Sequence, residues 1–342
     1  MLLLALILER QEGLTLNGNE LLTITNEMAQ SLLTIPEIIN CVEQTYSWYS
    51  QGKIVAPSKI TTDIAKFNIP SWINAMPSYV EPSDTLGIKW AGGFTKNTQK
   101  GGPYIRATIL VNDSRTGDLI ALLEGEWISD IRTGAQTAVA AKYLSCTAPK
   151  VLTIIGAGIQ GMATTLCLTE IFDFDEIRIC DIRRRALDNF ANKISSQVRC
   201  PIIKCESNAE AVTGADIIVT ATAADTVLVK NEWVKAGALV STIGSYQEIE
   251  EELVMAADKL IVDHLEQNLH RGEFFKLFQK GALTTTDIYA ELGDIISGKK
   301  TGRDSVNERI VISPIGMGCL DISIAGMLLQ KIAEKKINKD IS

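Results

Sequence analysis

The stretch Gly156-Ala157-Gly158-Ile159-Gln160-Gly161 has the spacing of a turn that can cradle phosphates. It is entered from the apolar run Val151–Ile155 and left through Met162–Leu168, which can form a helix. Gly156 permits the tight turn, Gly158 lets backbone approach a pyrophosphate, and Gly161 lets strand and helix pack closely. The helix start at Ile159 and Gln160 offers unpaired N–H groups and the positive end of its dipole to an anion. A second run, Ile177-Arg178-Ile179-Cys180, ends in Asp181, twenty residues after Gly161, where an acid can bind an adenosine ribose. Together these features point to a dinucleotide. Asp181 favours NAD, since its charge repels a 2′-phosphate. Arg183, Arg184 and Arg185 follow directly and make NADP the alternative.

These residues need strands and helices to hold them. Val151–Ile155, Glu176–Asp181, Ile202–Cys205, Ile217–Ala221, Leu239–Ile243 and Leu260–Val262 are short apolar runs separated by helical stretches. That pattern predicts strands buried on both faces of a parallel sheet, and so a Rossmann-type, doubly wound α/β domain over residues 146–304. Upstream, Ser71–Met76, Thr85–Ala91 and Arg106–Asn112 read as strands of an antiparallel or mixed sheet, with a turn at Thr116-Gly117-Asp118. An amphipathic helix opens near Thr34-Ile35-Pro36, and the alanine-rich segment 133–144 predicts another, closed by the break at Ala148-Pro149. The segment from Ile310 to Ile337, with the turn Pro314-Ile315-Gly316 and an apolar helix around Ile322–Ile332, is expected to rejoin the first domain.

Composition excludes several classes. With 33 basic against 41 acidic residues and a net charge of −8, there is no electrostatic footprint for nucleic acid or an anionic membrane. A hydrophobic content of 46% rules out a disordered chain. The seven cysteines form no CxxC pair, which predicts reduced thiols and a cytoplasmic location. Only His264 and His270 are present, so most histidine metal sites are excluded and no metal is expected. The run Met1–Leu8 lacks a basic flank and a cleavage site, and is expected to be buried or to contact a second subunit rather than to act in targeting.

The chain resembles the ornithine cyclodeaminase and mu-crystallin family over nearly its whole length after residue 20. The marks are Met76-Pro77, Leu86-Gly87-Ile88-Lys89, Thr116-Gly117 with Ala121–Gly125, Ile131-Arg132-Thr133-Gly134-Ala135, Gly156–Gly161, Glu291-Leu292-Gly293, Gly298–Arg303 and Asp321. The resemblance implies that the Rossmann domain, 146–304, is inserted into an α+β substrate-binding and dimerisation domain made of 1–145 plus 305–342. It implies a homodimer. It also implies that Lys89 and Arg132 hold an amino-acid carboxylate beside the nicotinamide, and that Lys59 takes the place of an earlier basic residue, usually arginine. Arg132 can grip a carboxylate bidentately, while Lys59 and Lys89 add charge and point donors. A lysine beside an arginine has its pKa lowered by like charge, which lets Lys89 protonate an imine. By the same resemblance Thr133 and Gly134 approach the phosphates. Ala221-Thr222-Ala223 and Gly244-Ser245, at the carboxyl ends of the fourth and fifth nucleotide strands, face the ribose and nicotinamide.

One departure bears on the reaction. Where cyclodeaminases carry an aspartate that serves as base, this chain reads Ser245-Tyr246-Gln247-Glu248-Ile249. Tyr104 and Pro314 also replace a common threonine and serine. The missing acid resembles opine-type dehydrogenases and ketimine reductases instead. The expected function is therefore an NAD(P)-dependent oxidoreductase acting on the C–N bond of an L-amino acid, an N-substituted amino acid or an imine. Ornithine cyclodeaminase, and a non-catalytic NAD(P)-binding protein of the mu-crystallin kind, are the alternatives. Glu248 would have to stand in for the aspartate within about 3 Å of its target to rescue the cyclodeaminase reading.

Overall fold

The computed structural model describes residues 15–16, 19–244 and 247–341; the run Met1–Leu8 and Ser245 lie outside the described residues. Two compact units divide the chain, Met1–Arg132 with Met317–Ser342, and Thr133–Gly316. The first boundary falls inside a helix, α3 (Glu126–Leu144), rather than at the Ala148-Pro149 break.

In the first unit, a hairpin of β1 (Thr15–Leu16) and β2 (Asn19–Glu20) precedes a seven-stranded sheet. Its strands are β3 (Leu22–Ile24), β4 (Ile54–Val55), β5 (Ile60–Asp63), β6 (Ser71–Val80), β7 (Thr85–Phe94), β8 (Ile105–Asn112) and β9 (Leu119–Glu124). They run in the order β3-β9-β8-β7-β6-β4, with β5 also on β6. All pairs are antiparallel except β3 with β9. Period-two burial puts Met76, Lys89, Ala91, Ile109, Val111, Ala121 and Leu123 inside. The C-terminal helix, Gly318–Ile341, packs on β6, β7 and β8, and also on α2 (Ile35–Ser50), which follows α1 (Asn26–Leu32). α2 starts at the expected place: Thr34 and Glu37 form a capping box with Pro36 in the first turn. Its inner face buries Ile38, Val42 and Tyr46 completely, each worth about 1.5–3 kcal/mol if the unfolded chain exposes them.

The second unit holds an eight-stranded, wholly parallel sheet. Its strands are β10 (Val151–Ile155), β11 (Glu176–Cys180), β12 (Ile202–Lys204), β13 (Ile217–Thr220), β14 (Leu239–Thr242), β15 (Lys259–Val262), β16 (Ile288–Glu291) and β17 (Ile310–Ser313). All six expected runs are strands to within one residue. The order β12-β11-β10-β13-β14-β17-β15-β16 reverses direction between β10 and β13, the crevice where doubly wound sheets bind ligands. After β10 comes α4 (Ile159–Thr169), and after β11 comes α5 (Arg184–Ile194). Of the segment from Ile310 expected in the first domain, Met317–Ser342 falls in the first unit, but β17 lies between β14 and β15, with every residue buried. A four-residue apolar run announces a doubly buried strand, but only its neighbours say which sheet it joins.

The alanine-rich helix begins at Glu126, seven residues before the segment read as helical, so Ser129 and Arg132 are helical as well. Among the described residues, no helix is long and apolar enough to cross a membrane, and no group of three His, Cys, Asp or Glu could hold a metal ion.

Candidate active site

The sheet of the first unit buries a charge cluster. Lys89, on the inner face of β7, is 1% exposed. Its Nζ donates to Ser129 Oγ at 2.7 Å and to Asp321 Oδ1 at 2.9 Å. The same Asp321 oxygen accepts from Arg132 Nε at 3.3 Å. Ser129 and Arg132 lie three residues apart on α3 and so share a face, while Asp321 comes from the first turn of the C-terminal helix. Asp321 is fully buried and its Oδ2 has no hydrogen-bond partner among the described residues. Two cations thus share one carboxylate oxygen of Asp321, an arrangement that can receive a further carboxylate. The Lys89 pKa is pushed down to about 8, first by burial and then by the Arg132 charge, with Asp321 and the Asp130 carboxylate pulling it back up. Like charge was the expected cause; burial outranks it.

Lys59 is half-buried immediately before β5. Ile60 pairs with Ala75, and Met76 with Lys89, so the register continued by one residue sets Lys59 opposite Met76. That places it two strands, roughly 10 Å, from Lys89. A cavity of about 550 Å³ lined by Asp84, Ser114, Arg115 and Gln330 shares no residue with this cluster.

The second unit carries the glycine turn. Gly156 has φ of 106°, and a Cβ there would lie 2.5 Å from the Ala221 carbonyl oxygen and 3.0 Å from Thr222 Cγ2. Gly161 is forced by packing, since a Cβ would collide with the Gly156 carbonyl. Gly158 faces open space, so packing does not require a glycine there. It is also the N-cap of α4 and supplies no side-chain cap, leaving first-turn N–H groups for an anion, while Ile159 stands 56% exposed and Gln160 half-buried. These features fit a dinucleotide pyrophosphate.

Asp181 is turned towards the turn. Its Oδ2 accepts the Ala157 N–H at 3.0 Å, and its Oδ1 accepts the Arg183 N–H at 2.8 Å and Arg183 Nε at 3.3 Å. The acid therefore braces the glycine turn and is partly neutralised by Arg183. Gly134 is needed for close helix crossing: a Cβ would lie 2.5 Å from the Ala163 carbonyl oxygen of α4. Its neighbour Thr133 is half-buried, and its carbonyl accepts from Thr137 Oγ1 at 3.2 Å. Ala221, Thr222 and Ala223 follow β13, and Gly244 follows β14, at the carboxyl ends of the strands.

Glu248 is fully buried. Its carboxylate accepts from Thr220 Oγ1 at 2.7 Å, from the Thr222 N–H at 3.2 Å and from the Thr222 hydroxyl. These three donors tie its carboxylate to the end of β13 and to the loop that follows.

Sequence reasoning nominated Lys89 and Arg132, which the structure brings together, but not the partners that join them. Asp321 had a readable signal: an acid in the apolar stretch 319–325 must find partners if the helix is buried. Ser129 had none.

The chain matches the ornithine cyclodeaminase/mu-crystallin family over residues 19–336 and belongs to that family. It is 30% identical over 326 residues to the alanine dehydrogenase of Archaeoglobus fulgidus, covering 94% of this chain and 98% of the other. Among solved structures, it is similar to Thermococcus litoralis Δ1-pyrroline-2-carboxylate reductase in complex with NADH and L-proline. That likeness has a TM-score of 0.88 at 31% identity, over 92% of this chain and 98% of the other. An archaeal alanine dehydrogenase dimer with bound NAD gives 0.86 at 30%, over 92% and 97%.

Proposed function

We propose that this chain is an NAD(P)-dependent oxidoreductase acting on the C–N bond of an L-amino acid, an N-substituted amino acid or an imine carboxylate. The observation that carries the reading is the buried pair Lys89 and Arg132 sharing one Asp321 oxygen, a positively charged anchor inside an apolar sheet. Relatives that act on alanine and on a cyclic imine, two of them holding NADH or NAD, support it.

Arg132 holds the substrate carboxylate, Lys89 adds its charge to that hold while it carries its proton, and Lys59 adds charge at the edge of the sheet. In oxidation the α-carbon loses hydride, the nitrogen loses a proton to neutral Lys89, and water hydrolyses the resulting imine to a 2-oxo acid and an amine. In reduction Lys89 returns that proton to the nitrogen. Bound nicotinamide accepts or supplies the hydride. Asp321 keeps Lys89 and Arg132 in place, and Ser129 fixes the direction of the Lys89 ammonium. The unit Thr133–Gly316 holds the dinucleotide through Thr133, Gly156, Gly158, Ile159, Gln160, Gly161, Asp181, Arg183, Ala221, Thr222, Ala223 and Gly244. Lys59, Lys89 and Arg132 of the other unit take the substrate. NAD is the preferred coenzyme, on the strength of Asp181. The immobilised Glu248 argues against the cyclodeaminase reading.

The protein works as a cytoplasmic homodimer in this reading. The outer face of the first sheet supports the dimer: Ile73, Pro77, Leu86, Ile88, Leu110 and Leu122 are only half-buried there.

A screen of amines and imines with both coenzymes, read by NADH or NADPH absorbance, tests the reading. Ligand-dependent turnover, with stoichiometric NADH formed from an amino acid, is expected. Binding of neither coenzyme by calorimetry, or proline and ammonia formed from ornithine without net NADH, would overturn it.

A further inference from the structure

We propose that Glu248 is a positioning residue of the dinucleotide site, a buried latch that holds Thr222 against the first glycine of the phosphate turn and supports Gly244. The inference rests on the reading of the second unit as a dinucleotide domain.

The latch has three links. Glu273 accepts the backbone N–H groups of Glu248 and Ile249 at 2.9 and 3.2 Å, fixing the start of the segment that carries Glu248. Glu273 is itself anchored through its own N–H to Ser313 Oγ, at the end of β17, at 3.3 Å. Glu248 then reaches back under the end of β13 and takes both threonine hydroxyls and the Thr222 N–H. Finally, the Thr222 methyl and the Ala221 carbonyl lie directly against Gly156. Gly244 closes the arrangement, since a Cβ there would stand 2.8 Å from Glu248 Oε2. The segments that follow β13, β14 and β15 are thus tied through two carboxylates, and the Glu273 N–H joins them to the end of β17.

The Thr222 hydroxyl donates to Glu248 and accepts the Ala224 N–H at 3.0 Å, so its one proton is already committed to the latch. The donors that segment 221–224 can offer a phosphate oxygen are therefore backbone N–H groups, and the shape of that backbone is what the latch sets. Burial raises the pKa of Glu248 while its donors pull it down.

The test compares wild type with Glu248→Ala, Glu248→Gln and Thr222→Val. Calorimetry measures NADH affinity, steady-state kinetics measures the substrate KM, and amide exchange follows residues 220–224. Glu248→Ala, which leaves the donors unmet, should weaken NADH binding at least about tenfold, with a smaller change in substrate KM and faster exchange at Thr222 and Ala224. Thr222→Val should weaken NADH binding in the same direction. Glu248→Gln keeps an oxygen for Thr222 and should restore most of the affinity. Wild-type affinity in Glu248→Ala, or an equal loss in NADH affinity and substrate KM, would overturn the inference alone. A wild type that binds neither NADH nor NADPH would overturn the functional reading and the latch with it.

Discussion

The two units bury charge in opposite ways. In the first, Lys89 and Arg132 meet an opposite charge, Asp321, and both reach the same one of its oxygens. In the second, Glu248 and Glu273 are buried with no cation hydrogen-bonded to them among the described residues, and are served by hydroxyls and backbone N–H groups. A cluster in which two cations share one oxygen is suited to receive an ion. A pair satisfied by neutral donors is suited to fix backbone. Both lie at the limit of what an interior tolerates: Lys89 is pushed down to about 8 and Glu273 up to about 8, each chiefly by burial.

The strongest way to break this contrast is to remove the anion from the first cluster. Asp321→Asn leaves two buried cations unpaired and should cost about 3–5 kcal/mol of unfolding free energy, measured in urea. An unchanged midpoint would mean that the cluster is solvated and that Asp321 does not hold it. Next in size, Lys89→Met should lower kcat/KM on the order of 10²–10³-fold while leaving NADH affinity near wild type. The proton on Lys89 also sets a sign. Imine reduction, which needs the ammonium, should fall as pH rises above about 8, and amine oxidation, which needs the free amine, should rise through the same range. Parallel profiles in both directions would remove Lys89 from proton transfer.

Two glycines sharpen the other side of the comparison. Gly161→Ala drives a methyl into the Gly156 carbonyl and should destabilise the protein by about 1–3 kcal/mol. Gly158→Ala meets no atom within 4 Å, so its thermal midpoint should hold while NADH affinity drops. A Gly158→Ala variant that binds NADH normally would show that the turn does not face the pyrophosphate. The smallest expected effect is a change of slope. The Glu273 pKa is raised from 4.5 to about 8, so the folded state favours its proton, and the stability it gives is fully present below 4.5 and lost as pH rises to about 8. Against Glu273→Gln, the wild type should therefore lose relative stability across that window, followed by denaturation at several pH values. A pH-independent difference would show that Glu273 is already ionised.

Much of this molecule was legible one segment at a time. The nucleotide strands could be read because each is a short apolar run buried on both faces, and the glycine turn because its spacing is local. β17 was misassigned because Ile310–Ser313 has the same pattern wherever it pairs. Whether Glu248 stands in for the missing aspartate was open from sequence, which gives a residue's chemistry but not the direction of its side chain.

The local determinants were therefore in the chain itself: period, glycine spacing and the resemblance that singles out Lys89 and Arg132. Folding alone decided which charges meet. Lys89, Arg132 and Asp321 stand up to 232 residues apart in the chain yet share one oxygen. Burial strength, hydrogen-bond partners and the resulting pKa values depend on atoms that are distant in sequence, and no short window of residues contains them.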